Sequence, residues 1–180
     1  MKIVNLDGYT TNPGDLSWDW LGNYGEYKVY DRTAPEQIVE RAKGADILII
    51  NKSVITAQML ENLPNLKFVG LQSTGYNVID CKAARARNIT VSNIPAYSTT
   101  GVAQLVFAFI LQVADNVSLH SDAVHNGEWC ECPDFCFWKT PLTELDGKTI
   151  GIIGFGSIGR RVAQIANAFG MNVEVFTTHP

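Results

Sequence analysis

The sequence has no apolar run long enough to cross a membrane. Its most apolar stretch, Leu105 to Leu111, is followed by Gln112 and then Asp115, whereas a spanning helix needs about 20 apolar residues. The amino-terminal segment MKIVNLD enters a strand pattern directly, without an apolar leader or a small-residue cleavage site. We therefore expect a cytoplasmic protein with no membrane partner.

Positive charge is also scarce. The 180 residues carry a formal net charge of −4, and no Lys/Arg cluster is interleaved with aromatic residues, so nothing indicates a nucleic-acid partner. Internal repeats and low-complexity segments are absent as well. With 46% hydrophobic and 18% charged residues, the composition is that of a folded globular protein with one full core or one domain plus part of another.

Cysteine is sparse, and its arrangement argues against a metal centre. Three of the four cysteines, Cys130, Cys132 and Cys136, lie in the segment CECPDFC. The C-x-C-x3-C spacing is neither a paired C-x2-C zinc pattern nor a cluster motif, and His125 is the nearest further ligand type. We interpret these residues as reduced thiols on a loop and predict no metal site, with a metal centre as the alternative.

Short apolar strands alternate with helices in the first half of the chain. Thr33, Thr56 and Asp80 are predicted to begin helices. Strands are predicted at residues 2–6, 27–30, 47–50, 68–71 and 90–92. This alternation predicts an α/β domain over residues 1–97, with a mostly parallel sheet covered on both faces.

A long apolar helix is predicted after the segment NIPAYSTT. Residues 101–120 read as one helix that is apolar nearly all round, so most of its sides must be buried. The pattern allows a place between two domains, between two subunits or in the centre of one domain. Because such a helix would leave a large apolar patch exposed in a monomer, we expect a homodimer.

Residues 149–169 show the pattern of a dinucleotide-binding unit. The segment 149–153 predicts a strand, Gly154, Gly156 and Gly159 follow at GxGxxG spacing, and a helix is predicted over 160–169. The first glycine permits the tight turn, the second lets the backbone approach a pyrophosphate, and the third lets helix and strand pack closely. A turn without a ligand is the alternative. Residues 98–180 are therefore predicted to comprise the long helix and the first β-α-β of a dinucleotide-binding domain, of which only this first part is present.

The order of these motifs resembles the D-isomer-specific 2-hydroxyacid dehydrogenases, and within them the glycerate dehydrogenase or hydroxypyruvate reductase group. The likeness rests on STGYNVIDCKAARARNITVSNIPAYSTTGVAQLVFAFIL, HNGEW, LDGKTIGIIGFGSIGRRVA and FGMNV, and it runs along essentially the whole chain. It implies a flavodoxin-like substrate domain with a parallel sheet, followed by the start of a Rossmann NAD(P)-binding domain. In that family the substrate domain also includes the carboxy-terminal tail, and the active site lies in the cleft between the domains.

The resemblance also implies site residues. Thr74, Gly75 and Tyr76 match the loop whose backbone N–H groups hold the substrate carboxylate. Lys52 and Ser53 match a second substrate-side loop, with a solvated cation and a capped turn as the alternatives. The implied cofactor residues are Thr100, for which a helix cap is the alternative, and Gly154, Phe155, Gly156, Ser157, Ile158, Gly159, Thr177 and Thr178.

Two positions compete to select between NAD and NADP. An acidic residue at the end of the second Rossmann strand normally binds the adenosine ribose and repels a 2′-phosphate. Glu174 has the generic spacing but falls inside the strand NVEVF, where its side chain cannot reach the strand tip. The family match places the position at Thr177, with His179 close by in sequence. We expect NAD or NADP as cofactor, with NADP tolerated.

The family's catalytic Arg, Glu or Asp, and His find no match in this chain and are expected beyond residue 180. His120, His125 and His179 are interpreted as surface or capping residues. We predict the front portion of an oxidoreductase acting on small D-2-hydroxy acids of the glycerate/hydroxypyruvate or glyoxylate type, inactive as these 180 residues alone. The alternatives are a dinucleotide-binding regulatory protein of the corepressor type on the same scaffold, or an inactive fragment.

Overall fold

The structure, a computed structural model, describes residues 1–178 in two compact units. The units are Met1–Pro95 and Ala96–Pro180, so the division falls close to the predicted boundary at residue 97. His179, which the sequence places near the cofactor position, lies outside the described residues.

The first unit is a five-stranded parallel sheet with helices in the connections. The strand order is β2-β1-β3-β4-β5, and all four neighbouring pairs are parallel. The strands are β1 (Lys2–Asn5), β2 (Glu26–Val29), β3 (Ile47–Ile50), β4 (Phe68–Leu71) and β5 (Thr90–Ser92). The α-helices are α1 (Ile38–Ala42), α2 (Ala57–Glu61) and α3 (Cys81–Ala86), and short 3-10 helices span Gly8–Thr10, Asp19–Asn23 and Pro35–Gln37. The predicted α/β class with a parallel sheet is confirmed.

The core of the first unit lies on one face of the sheet. Leu48 and Ile50 of β3 are fully buried and alternate with half-buried neighbours, as expected for side chains that point to opposite faces of a strand. Ile38 of α1, Leu60 of α2 and Ala84 of α3 belong to the same buried cluster. Full cover on both faces was expected, but within residues 1–178 the second face of β3 and β4 is only partly covered.

Two of the three predicted helix starts are confirmed, and one is wrong. Thr56 accepts a hydrogen bond from the Met59 N–H at 3.3 Å and caps α2, and Asp80 caps α3 in the same way. Thr33 caps no helix, because its hydroxyl donates to the Leu6 carbonyl at 2.5 Å. The Thr33 side chain, which the local sequence pattern assigned to a helix cap, thus bonds instead to a carbonyl group at the end of β1.

The second unit packs a long helix against a strand-helix-strand segment. Its elements are α4 (Thr99–Asp115), α5 (Val117–His125), α6 (Glu128–Glu131), β6 (Thr149–Ile153), α7 (Ser157–Ala168) and β7 (Asn172–Phe176). Strands β6 and β7 pair in parallel. Ala103 and Phe107 of α4 share a buried cluster with Val162 and Ala166 of α7, and the ring of Phe107 stacks on Phe169 at 5.3 Å.

The single long helix predicted over 101–120 is wrong, because the chain forms two helices. Asn116 adopts a left-handed conformation with φ of 50°, and α4 and α5 meet at 61°. Asn is among the few residues that accept this conformation at low cost. Within residues 1–178 no single helix is long and apolar enough to span a membrane, and α4 with α5 passes that test only as a bent pair.

Burial of α4 is also less complete than expected. Leu105, Phe109 and Val113 form a stripe along one side of the helix and are 54%, 64% and 80% exposed. Their four-residue spacing places them on a common face. We call this surface, Leu105, Phe109 and Val113, the α4 stripe.

Candidate functional site

The glycine turn lies between β6 and α7 in the second unit. Gly154 has φ of +92°, a conformation that side chains rarely adopt, and its N–H donates to the Phe176 carbonyl at 2.8 Å. This bond ties the end of β6 to the end of β7. Gly156 is the residue before α7, and the space where its Cβ would stand is open. The turn is therefore bent by its first glycine and open at its second.

Gly159 brings the first turn of α7 close to the strand. A Cβ placed there would overlap the Gly154 carbonyl oxygen and lie 3.3 Å from Ile152 Cγ2. Ser157, Ile158 and Gly159 form the first turn of α7, where N–H groups have no partner within the helix. These groups and the positive end of the helix dipole suit a phosphate. The residues present fit a dinucleotide pyrophosphate.

A cavity of about 510 Å³ opens beside this turn. It is lined by Ile153, Gly154, Phe155, Gly156, Arg160, Phe176, Thr177 and Thr178. Five of these eight are predicted cofactor residues, while Ser157, Ile158 and Gly159 contribute to the helix start rather than to the lining.

Arg160 is a cavity residue that the sequence reasoning missed. Its Nε donates to the Phe155 carbonyl at 3.0 Å, and its guanidinium lies 5.2 Å from the centre of the Phe155 ring. These two contacts hold a permanent positive charge beside the open glycine turn, with further N–H donors available. The position of Arg160 directly after Gly159 could have identified it, but the GxGxxG spacing considers only the glycines.

Thr177 and Thr178 lie directly after β7 and line the cavity. Glu174 is the third residue of β7, pairs in register with Gly151, and is not among the lining residues. The structure therefore places the threonines, and not the carboxylate, at the strand end that faces the glycine turn.

The predicted carboxylate loop follows β4 in the first unit. Its carbonyl oxygens are occupied: Ser73 accepts from the Ile94 N–H at 3.1 Å, Thr74 from Asn93 Nδ2 at 2.8 Å, and Gly75 from the Ser73 hydroxyl at 2.8 Å. The Thr74 hydroxyl donates to the Ile94 carbonyl at 3.0 Å. None of these bonds uses the N–H groups of Thr74, Gly75 or Tyr76, and all three residues are exposed. Successive backbone donors of this kind suit an anion.

The second predicted loop follows β3 and is held by a residue that sequence reasoning missed. Asp7 is only 4% exposed, and its carboxylate accepts from the backbone N–H groups of Asn51, Lys52 and Ser53 at 2.7, 2.6 and 2.7 Å. Such charge-assisted bonds are short and strong. Since these donors are already used, a ligand at this loop contacts side chains instead.

The side chains of Lys52 and Ser53 line a cavity of about 340 Å³ in the first unit. Arg32, Thr10 and Thr33 line it as well. Ser53 is buried at 7% exposure and Lys52 is exposed. Asp7 also lines the cavity, which thus combines two cations and one carboxylate with hydroxyl groups. The direct substrate contact assigned to Lys52 or Ser53 stays a prediction.

Thr100 occupies the second position of α4 and is exposed. The residue before the helix is Ser98, so the alternative reading of Thr100 as the helix cap is wrong. Its predicted place near a nicotinamide stays a prediction.

The described histidines bind neighbouring backbone groups. His120 Nδ1 lies 3.0 Å from the Asn116 carbonyl and its Nε2 accepts from the Lys139 N–H at 3.1 Å, while His125 Nδ1 lies 2.8 Å from the Ser121 carbonyl. Among residues 1–178, no group of three or more His, Cys, Asp or Glu side chains is placed to hold a metal ion.

Comparisons with known proteins find a matching family and similar sequences. The sequence matches the family model described as D-isomer specific 2-hydroxyacid dehydrogenase, catalytic domain, over residues 10–178. A hydroxypyruvate reductase from Blautia hydrogenotrophica is 46% identical over 99% of this chain and 56% of its own length. A glycerate dehydrogenase from Methylorubrum extorquens is 38% identical over 86% of this chain and 50% of its own length. The chain thus spans about half the length of these curated relatives.

A solved structure extends the likeness to three dimensions. An acyclic imino acid reductase (Bsp5) in complex with NADPH and D-Arg is 32% identical, with a TM-score of 0.76 over 100% of this chain and 57% of that one. The apo-structure of D-lactate dehydrogenase from Escherichia coli, at 23% identity and a TM-score of 0.73, shows the same fold.

Proposed function

The chain belongs to the D-isomer specific 2-hydroxyacid dehydrogenase family, and from this we propose that the whole protein is an oxidoreductase acting on the CH–OH group of small D-2-hydroxy acids. Hydroxypyruvate, glycerate and glyoxylate are the proposed substrate type, as the names of similar proteins suggest. The observation that carries the proposal is the open glycine turn with its two structural glycines, Gly154 and Gly159.

We propose that the second unit binds a nicotinamide dinucleotide at this turn. The N–H groups at the start of α7 would face the pyrophosphate, and Arg160 would add a fixed positive charge. The bound nicotinamide would supply or accept the hydride, while the protein supplies orientation and charge. A solved neighbour with NADPH bound supports a dinucleotide at this fold.

The first unit would hold the substrate carboxylate. The N–H groups of Thr74, Gly75 and Tyr76 are the proposed donors, since the loop's own hydrogen bonds use its carbonyl oxygens. Backbone donors fixed in this way recognise the carboxylate and leave the rest of the acid to side chains such as Lys52 and Ser53.

We propose that proton transfer to the reacting oxygen depends on a group outside residues 1–178. His120 and His125 are bonded to backbone groups of their own helix region, and the family resemblance puts the acid/base His and the polarising Arg further along. We expect a polypeptide of residues 1–180 to show no turnover of hydroxypyruvate or glyoxylate with NADH or NADPH, followed by absorbance. Turnover above a blank would contradict this part of the proposal.

The activity itself is tested on the whole protein with the same substrates and cofactors. Reduction of either 2-oxo acid that is lost on substituting the family's Arg or His supports the enzyme. Cofactor binding without any turnover would support the regulatory alternative instead.

Tolerance of NADP follows from the residues after β7. Thr177 and Thr178 bring hydroxyl groups and no negative charge to the cavity, so they would not repel a 2′-phosphate. Thr177→Asp should shift selectivity toward NADH, measured as the ratio of kcat/KM values for NADPH and NADH in the whole protein. A wild-type preference for NADH of about a hundredfold or more, equivalent to about 3 kcal/mol, would contradict the idea.

We also propose a homodimer in which the α4 stripe is buried against a second copy. Three large apolar side chains on one helix face, each more than half exposed, are typical of an association surface.

A further inference from the structure

We propose that Cys132 and Cys136 form a thiol–disulfide exchange site, in which a small disulfide oxidises the pair to an intramolecular disulfide. The site lies in the loop after α6, and it does not depend on the function proposed above. Cys132 and Cys136 of this loop, and Cys130 in α6, carry no role in the dinucleotide or carboxylate sites.

The loop is folded back on itself, which brings the two cysteines together. The Trp129 indole N–H donates to the Phe135 carbonyl at 3.2 Å, and the Trp129 ring lies 6.3 Å from the Phe137 ring. Both contacts join α6 to the far side of the loop. Folding of the chain therefore already includes most of the entropic cost of bringing Cys132 and Cys136 together, so disulfide formation between them has little further loop-closure cost.

The two cysteines are in direct contact. The Cys132 sulfur lies 3.6 Å from the Cys136 carbonyl oxygen. A carbonyl oxygen is two bonds from its own Cα, so the Cys132 sulfur is within about 6 Å of the Cys136 Cα. A disulfide requires Cα atoms about 4.4–6.8 Å apart, and this close contact places the two residues near enough for the bond that we propose.

Cys130 is placed differently. It lies inside α6, and its N–H is bonded to the Gly127 carbonyl at 3.0 Å. Cys132 follows the last residue of α6 in an extended conformation, with ψ of 129°, at the start of the loop. The geometry thus selects Cys132, and not Cys130, as the partner of Cys136.

Access and chemistry allow exchange with a small disulfide. Cys136 is exposed and Cys132 partly so. The Cys132 thiolate would attack oxidised glutathione and expel one glutathione thiolate. The Cys136 thiolate would then attack the Cys132 sulfur of the mixed disulfide and expel the second. The protein loses two protons and two electrons, and oxidised glutathione becomes two molecules of reduced glutathione.

An exposed disulfide that closes so short a loop should be readily reversible. Labile and exposed disulfides have more oxidising potentials than structural ones, and in a reducing compartment disulfides are transient. Dithiothreitol should therefore restore the free thiols completely.

The test uses three variants of the 180-residue chain that each keep two thiols. All carry Cys81→Ser, and to it is added Cys130→Ser, Cys132→Ser or Cys136→Ser. Each is incubated with oxidised glutathione and its intact mass is measured. The Cys81→Ser/Cys130→Ser variant should lose the mass of two hydrogen atoms, whereas the other two should gain glutathionyl groups that persist.

Cleavage before Asp134 gives a second readout, because this residue lies between Cys132 and Cys136. Linked cysteines keep the two pieces together until dithiothreitol is added. Persistent double glutathionylation of the Cys81→Ser/Cys130→Ser variant would overturn the proposal. So would equally fast disulfide formation in a variant that retains Cys130.

Discussion

Asp7 holds a buried negative charge by giving each backbone donor of the loop after β3 a carboxylate oxygen. Asp7→Asn replaces one of those oxygens with an NH₂ group, so at least one of the N–H donors of Asn51, Lys52 and Ser53 loses its acceptor. Leaving buried donors unpaired costs about 1–3 kcal/mol, so we expect a loss of that order in the free energy of unfolding of the first unit.

Urea denaturation followed by circular dichroism measures this loss. Asp31→Asn is the matched control, because Asp31 is exposed and its substitution removes the same charge from a surface site. Equal stability of the two variants would show that the three N–H contacts with Asp7 contribute little.

Gly159 and Gly101 offer the same substitution in opposite settings within the second unit. An added methyl group at Gly159 meets the Gly154 carbonyl oxygen, whereas at Gly101, inside α4, it meets nothing within 4 Å. Gly159→Ala should cost about 1–3 kcal/mol through overpacking, and Gly101→Ala should stabilise by up to about 1 kcal/mol through helix propensity.

Thermal unfolding of the two glycine variants, compared with the wild type, measures both effects. The opposite signs separate the close approach of helix and strand from any general response to alanine. A neutral Gly159→Ala would mean that α7 can move away from β6 without loss.

At this scale the sequence predicts what is local and misses what is brought together by the fold. Thr56 and Asp80 cap helices that begin beside them in the chain, and Gly154 sits at a fixed spacing from a strand. Asp7 acts on residues more than forty positions away, and a pattern along the chain carries no sign of that partnership.

Asp46 links three strands at the amino-terminal edge of the sheet. It precedes β3, accepts the Lys2 N–H at the start of β1, and pairs with Lys67 Nζ at 2.8 Å just before β4. The hydrogen bond from Lys67, then that from the Lys2 backbone, lowers the pKa of the Asp46 carboxyl below its usual value of 3.8.

Because the pKa of Asp46 is lowered by folding, its contribution to stability is present above pH 3.8 and is lost as the pH falls through the folded-state value. Asp46→Asn should therefore lower the free energy of unfolding of the first unit at neutral pH. At pH values below both the usual pKa and the folded-state pKa of Asp46, the variant and the wild type should be equally stable. Urea titrations at several pH values, with Asp31→Asn as the control, measure this convergence. A difference that is independent of pH would contradict the assigned role.

Element boundaries show why the predicted 101–120 helix fails. Its apolar residues continue past Asp115, so hydrophobic pattern alone cannot locate the break. The break depends on Asn116 adopting a left-handed conformation, and on Gln112 Oε1 accepting from the Ser118 hydroxyl at 3.1 Å. By contrast, the strands at 47–50, 68–71, 90–92 and 149–153 match their predictions because these apolar runs are too short for an ordinary helix.

For the molecule as a whole, the proposed homodimer predicts that the α4 stripe determines whether the protein is a dimer or a monomer in solution. Phe109→Glu places a charge at the centre of the stripe, where burial against a second copy would cost several kcal/mol. We expect light scattering to show a dimer for the wild type and a monomer for this variant. Leu16→Glu, at a 69% exposed apolar position of the first unit, is the control that should stay dimeric.

A monomeric wild type at high protein concentration would contradict the homodimer. Dimers in both the wild type and Phe109→Glu would move the interface away from the α4 stripe. Circular dichroism of each variant confirms that the helix content is unchanged.

The strand order of the first unit has a consequence for how the protein is made. Strand β2 joins β1 on one side, and β3, β4 and β5 then join one after another on the other side, so each strand after β1 pairs with one that has already left the ribosome. At about 5–20 residues per second, the chain between β1 and β5 takes several seconds to synthesise. During that time each new strand finds a partner that is already made, and from β3 onward the sheet grows at a single edge.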